Sequence, residues 1–184
     1  MGTHHKKLEH VILFFLERIN NVQLGATKLM KLLYYVDFDH YEQYGKPVTN
    51  AKYRKLPHGP VPDEAEKVIK NMITTGAVEA VKQKVGKFEQ HRLITKAAQF
   101  DPSLFTGDEL ETLKQVACRW EHHTAKEIEA ATHKEVPWAS TQDGKSIDYE
   151  LAEYRTPLPE DEPVDDFLAS SDSFKKYVAG VASN

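Results

Sequence analysis

Apolar residues recur every three or four positions at Leu8, Val11, Ile12, Phe15, Leu16 and Ile19, which predicts an amphipathic helix over residues 6–20. Asn20-Asn21 ends it, and Gly25 opens the connection onward. A second helical pattern starts at Thr27, a suitable N-cap, and runs to about Gln43. One of its faces carries Leu29, Leu32, Leu33, Val36, His40 and Tyr44; another carries Met30, Tyr34, Asp37 and Tyr41. Two apolar faces mean burial on two sides, so this helix is expected at the centre of the fold.

Gly45 and Pro47 stop the second helix, and residues 48–56 are polar and partly extended. Pro57, Pro60 and Pro62 hold the chain in extended backbone angles while Gly59 permits a turn. Asp63 and Glu64 then suit the positive end of a third helix, with Ala65, Val68, Ile69 and Met72 on one side and a stop at Thr75-Gly76. Residues 77–82 and 88–95 read as a hairpin joined through Val85-Gly86. Thr106 with Glu109, and Thr124 with Glu127, are capping boxes opening helices over 107–122 and 125–133. Pro137 cannot continue the second of these. Asp143-Gly144 is a turn, and residues 147–154 read as a further helix. The predicted architecture is mainly α with a small β-sheet or hairpin (α+β), one compact helical domain over residues 1–155. A proline-rich acidic linker over 156–166 and a helical tail over 167–184 follow.

The order of three helices and a hairpin is also an echo of a winged helix. Basic hairpin residues Lys82, Lys84, Lys87 and Arg92 could follow a phosphate backbone. Against nucleic acid stand Asp63, Glu64 and Glu66 at the entry of the third helix, where they would repel DNA. The net charge of −4 divides unevenly: residues 1–45 sum to zero, 46–96 to +6 and 97–184 to −10. A basic middle beside an acidic C-terminal half fits a polar partner surface, two halves that attract each other, or ordinary solvated faces. No apolar run approaches the roughly 20 residues of a spanning helix, and no secretory signal pattern precedes the first helix. A single cysteine, Cys118, excludes an internal disulfide, so the expectation is a soluble cytoplasmic protein.

Catalytic chemistry finds little support. His122 and His123 point about 100° apart on a helix and cannot share an ion, while His4, His5 and His10 lie at the chain start, where order is not expected. No metal or cofactor is implied. Asp37 shares a helix face with Tyr34 and Tyr41, which reads as a buried tyrosine–carboxylate pair. Cys118, among Leu113, Val116 and Ala117, reads as a small buried hydrophobe. Gly59 is flanked by prolines that lack the backbone donors of a phosphate loop.

Four stretches in order carry a resemblance: Thr27-Lys28-Leu29-Met30-Lys31-Leu32-Leu33-Tyr34; Tyr41 through Tyr44 to Gly45-Lys46-Pro47; Tyr53 to Leu56 leading into His58-Gly59-Pro60-Val61-Pro62; and Thr132-His133 shortly before Trp138. Together they resemble the Panacea domain of SocA-like antitoxins and GepA-like phage-associated proteins, over roughly residues 8–152. The resemblance implies a mainly helical fold and a non-enzymatic antitoxin that binds a cognate protein toxin directly. The partner differs from member to member, and SocA itself is an adaptor delivering its toxin to a AAA+ protease. No catalytic residues come with it. Motif positions with an expected structural role are Thr27, Leu32, Tyr34, Gly45, Pro47, Gly59, Pro60, Val61, His133 and Trp138. Exposed candidates for contact with the toxin are Lys28, Lys31, Tyr35, Arg54, Lys55 and His58, with a solvated rim as the alternative for all six. A homo-oligomer is compatible with this sequence.

Overall fold

The computed structural model describes residues 3–19, 24–85 and 88–155; the linker and tail helix expected beyond residue 155 lie outside the described residues. Among the described residues there are six α-helices: α1 (Thr3–Arg18), α2 (Ala26–Tyr44), α3 (Ala65–Thr74), α4 (Gly107–Trp120), α5 (Ala125–Lys134) and α6 (Val136–Ser140). Five strands among them form two antiparallel sheets. One has the order β2-β1-β5, built from β1 (Tyr53–Leu56), β2 (Gly59–Pro62) and β5 (Ser146–Ile147); the other pairs β3 (Val78–Val85) with β4 (Phe88–Thr95). The chain is thus α+β with a helical majority.

Helix α2 is the axis. Leu29, Leu32, Leu33, Val36 and Phe38 are all buried, and α1, α4, α5, β2, β4 and the 3-10 segment Tyr149–Tyr154 pack against it. Each fully buried leucine contributes roughly 1.5–3 kcal/mol through loss of water contact. Gly45 ends the helix in the left-handed conformation (φ 67°), its N–H donating to Tyr41 O at 2.7 Å, as glycine at this position allows without steric penalty. The start differs from expectation: the N-cap is Gly25, and Thr27 lies in the first turn with no cap bond from Gly25's absent side chain to replace. Both expected capping boxes are formed, Thr106 with Glu109 on α4 and Thr124 with Glu127 on α5.

Within the His58-to-Pro62 stretch, residues 59–62 are a strand, β2, paired with β1 across the two-residue turn Pro57-His58. Proline is tolerated there because of strand polarity. Lys55 turns its own N–H and carbonyl to the opposite neighbour, donating to Lys145 O and accepting from Gly144 N, both at 2.9 Å. Its cross-strand partner Pro60 therefore has no ladder donor to lose, and the same alternation applies to Pro62 opposite Tyr53. Both prolines put their missing N–H on the outer edge of the sheet.

As expected, α5 ends before Pro137, which sits in the first turn of a new helix, α6, where its lack of an N–H is harmless. Three further expectations are corrected. Residues 147–154 form the end of β5 and a 3-10 segment instead of an α-helix. His4, His5 and His10 belong to α1, and His10 Nδ1 accepts from Asp101 N at 3.1 Å. Cys118 is exposed, because the buried face of α4 is set by Leu113, Val116, Ala117 and Trp120 and leaves position 118 outside. The winged-helix order of elements is present, with α3 packing on α1. Two of its three entry carboxylates are occupied: Arg54 donates Nε and Nη2 to Asp63, both at 2.9 Å, and His5 pairs with Glu64 at 2.8 Å.

Candidate functional site

The stretches that looked separate along the chain meet at one place. Gly59 has φ +95°, and a Cβ there would fall 2.6 Å from Lys31 Cε and 3.0 Å from Thr132 Oγ1. Three segments, α2, the β1–β2 hairpin and α5, thus close on a single glycine. Lys31 Nζ donates to Pro60 O at 3.2 Å, tying α2 to the outer side of β2. Next to Thr132, the His133 ring stacks on Trp138 with centroids 3.9 Å apart and planes at 13°. Lys55, cross-strand from Pro60, places its ammonium 4.1 Å from the Trp138 ring centroid and donates to Thr141 O at 2.9 Å. His58, at the hairpin tip, pairs with Glu129 of α5 at 3.3 Å.

Exposure corrects the expected contact set. Lys28, Lys31 and Tyr35 are 0–1% exposed and Lys55 8%, whereas Arg54 and His58 are exposed. The reason is that a lysine carries a long apolar stem, which lies along a packed interface while its ammonium finds carbonyl oxygens. Lys28 shows this well. Its Nζ donates to Glu121 O at 3.1 Å and His123 O at 2.5 Å, meeting the carbonyls at the end of α4, where a positive charge is favoured. Tyr35 packs its ring 4.8 Å from Trp120. Of the motif positions, Leu32 and Tyr34 are core, Gly59 and Pro60 are buried, and Val61, His133 and Trp138 are partly buried. Thr27 and Gly45 are exposed, and Pro47 is half-buried.

Electrostatics follow from burial. Desolvation pulls the Lys31 ammonium down to about 8, with Glu129 pushing the other way. Burial also lowers His133; Glu129 opposes this, while Lys31, His58 and Lys55 add to it. Asp37 is raised to about 6 by complete burial, although it accepts bonds from the Thr49 N–H (2.6 Å), the Thr49 hydroxyl and the Tyr53 hydroxyl (2.8 Å). The buried tyrosine–carboxylate motif exists, but with Tyr53 of β1 in place of the expected helix neighbours. Tyr41 stacks on Tyr149, and the Tyr34 hydroxyl donates to Glu135 at 2.7 Å.

One buried ionic network has no counterpart in the sequence reading. Arg155 donates to Glu135 twice, to Asp39 at 2.6 Å and to Glu42 at 3.1 Å, and Arg119 reaches the other Asp39 oxygen at 2.8 Å. It fastens the end of the described chain to α2 and to the α5–α6 junction. Nothing local to Arg155 signals it, since all three of its acceptors lie at least 20 residues away. Among the described residues, no group of three or more His, Cys, Asp or Glu side chains is placed to hold a metal ion, and no helix is long and apolar enough to cross a membrane.

Residues 29–139, more than half of the chain, match the family model described as antitoxin SocA-like, Panacea domain. No curated protein and no solved structure matches the chain.

Proposed function

Because the chain belongs to the SocA-like antitoxin family with the Panacea domain, we propose that it neutralises a cognate protein toxin by binding it directly, without catalysis of its own. The observation that supports this reading is the convergence of the family's landmark residues, Lys31, Gly59, Thr132, His133 and Trp138, on one packed junction beneath an exposed hairpin. A rigid junction under an exposed tip lowers the entropy lost when a partner is bound. The contact surface we assign is the outer face of β1 and the hairpin turn. Arg54 is held there by Asp63 and by Gly144 O at 3.0 Å, Leu56 is 38% exposed, and His58 stands at the tip. An arginine held in place beside an exposed apolar side chain is the composition that protein interfaces favour.

Co-expression with each neighbouring reading frame tests the proposal. The expected result is a neighbour that arrests growth alone, is relieved by this chain, and co-purifies with it in stable amounts. If no neighbour is toxic, or toxicity persists alongside this chain, the proposal fails. A toxin whose half-life falls sharply on co-expression would replace sequestration by delivery to a AAA+ protease.

A further inference from the structure

Lys28 and Lys31 lie one turn apart on α2 and both are buried, yet they are treated differently by their surroundings. Lys28 has two carbonyl acceptors at the end of α4. Among the described residues Lys31 has one, Pro60 O, at the long distance of 3.2 Å. An ammonium has three donors, and burying one with two of them unmet is unfavourable. Beside it, Trp138 Nε1 and His133 Nε2 are buried with no hydrogen-bond partner among the described residues. An indole N–H can only donate, and an imidazole nitrogen can donate in the right tautomer. The unmet capacity at this junction is therefore dominated by donors.

The surrounding charges point the same way. Lys31, Lys55 and His58 all act on His133 as nearby positive groups, and Glu129 is the acidic side chain acting on both Lys31 and His133. Glu129 is itself turned to His58 at 3.3 Å, on a side chain that is 83% exposed. A pair so exposed contributes little and exchanges readily. We infer that the junction of Lys31, His58 and His133, with Trp138 beside it, accepts a carboxylate from the partner, the exposed His58–Glu129 pair parting to admit the acid to donors that are buried in the free chain. A carboxylate supplies the acceptors that the ammonium, indole and imidazole lack, in charge-assisted bonds. This deepens the antitoxin reading and rests on it for the source of the carboxylate, an acidic side chain of the toxin.

The site is tested on the full chain with a small probe. In protein labelled with nitrogen-15, the indole N–H signals of Trp120 and Trp138 are followed during titration with acetyl-glutamate amide, and separately with inorganic phosphate, at constant ionic strength. The expected result is a saturable shift of Trp138 with Trp120 unmoved. Binding should weaken about tenfold in Lys31→Met and in His133→Phe, the loss of one charge-assisted bond, and should tighten in Glu129→Gln, where the internal competitor is gone. A non-saturating Trp138 shift, a response to phosphate without one to the carboxylate, or unchanged affinity in both Lys31→Met and His133→Phe overturns the inference. His133→Phe, which keeps the stacking on Trp138 but has no donor, tests the second bond independently. Saturable binding without a neutralised toxin would remove the antitoxin reading alone, and a neutralised toxin without saturable binding would remove the carboxylate site alone.

Discussion

Arg155 grips Glu135 side-on, Nε to Oε2 at 3.1 Å and Nη2 to Oε1 at 2.8 Å, with both side chains 4% exposed. Bidentate geometry and near-complete burial make this pair unlike the surface ion pairs elsewhere in the molecule. Removing one partner strands the other charge in the interior. Arg155→Met is therefore expected to destabilise the fold by about 3–5 kcal/mol, with Glu135→Gln similar, and the double variant to lose much less than the sum. Urea unfolding of the three variants measures this, and additive losses would show that the two residues act independently.

At Gly59 two separate demands coincide, a positive φ and a close approach by Lys31. Gly59→Ala should lose about 1–2 kcal/mol from backbone strain and about 1–3 kcal/mol more from overpacking. Only the second part depends on the lysine. Adding Lys31→Ala should recover most of that part, leaving the backbone strain and the 3.0 Å approach of Thr132 Oγ1, which thermal unfolding of the single and double variants resolves.

Lys31 also makes a pH prediction. Burial lowers its folded-state pKa from 10.5 to about 8, so above pH 8 the unfolded chain binds more protons than the folded one. Stability attributable to this group therefore rises with pH between about 8 and 10.5, and its burden, on the order of 3 kcal/mol, is present in full below that window. Lys31→Met is expected to be more stable than the parent at pH 7, with the gap closing by pH 10. A gap that is constant across this range would contradict the assignment.

The capping boxes of α4 and α5 test local helix stability. Thr106→Ala and Thr124→Ala should each lose about 1 kcal/mol, and the losses should add because the two caps share no partner. Denaturant midpoints, with unchanged slopes, check this.

Much of the framework was legible because it is local. Helix spacing, glycine stops and both capping boxes depend on residues within a few positions of each other, and those survive folding almost unchanged. The character of α2 was legible too, since two apolar faces on one helix leave it nowhere to go but the centre. What failed was inference from residue type to exposure. Lys28, Lys31 and Lys55 were read as surface because they are charged, but their stems pack and their ammoniums end on carbonyls from other segments. Partners that come from a distance were also hidden: Asp37 has Tyr34 and Tyr41 beside it on its own helix, yet is bonded by Thr49 and Tyr53. The β1–β2 hairpin escaped for a related reason. Three prolines argue against a strand until the polarity of the ladder is known, and that polarity is set by β5, about 90 residues further on.

Those prolines have a consequence for how anything can attach. The outer margin of β2 has no amide hydrogens at Pro60 and Pro62, and its Pro60 carbonyl is already taken by Lys31 Nζ of α2. An extended peptide laid alongside would find neither a donor at the prolines nor a free Pro60 carbonyl, so this margin cannot serve as a template for another strand, whether from a toxin or from a second copy of this chain. A partner at the proposed contact surface would therefore be read by side chains. Side chains can be exchanged one at a time without disturbing the backbone beneath them.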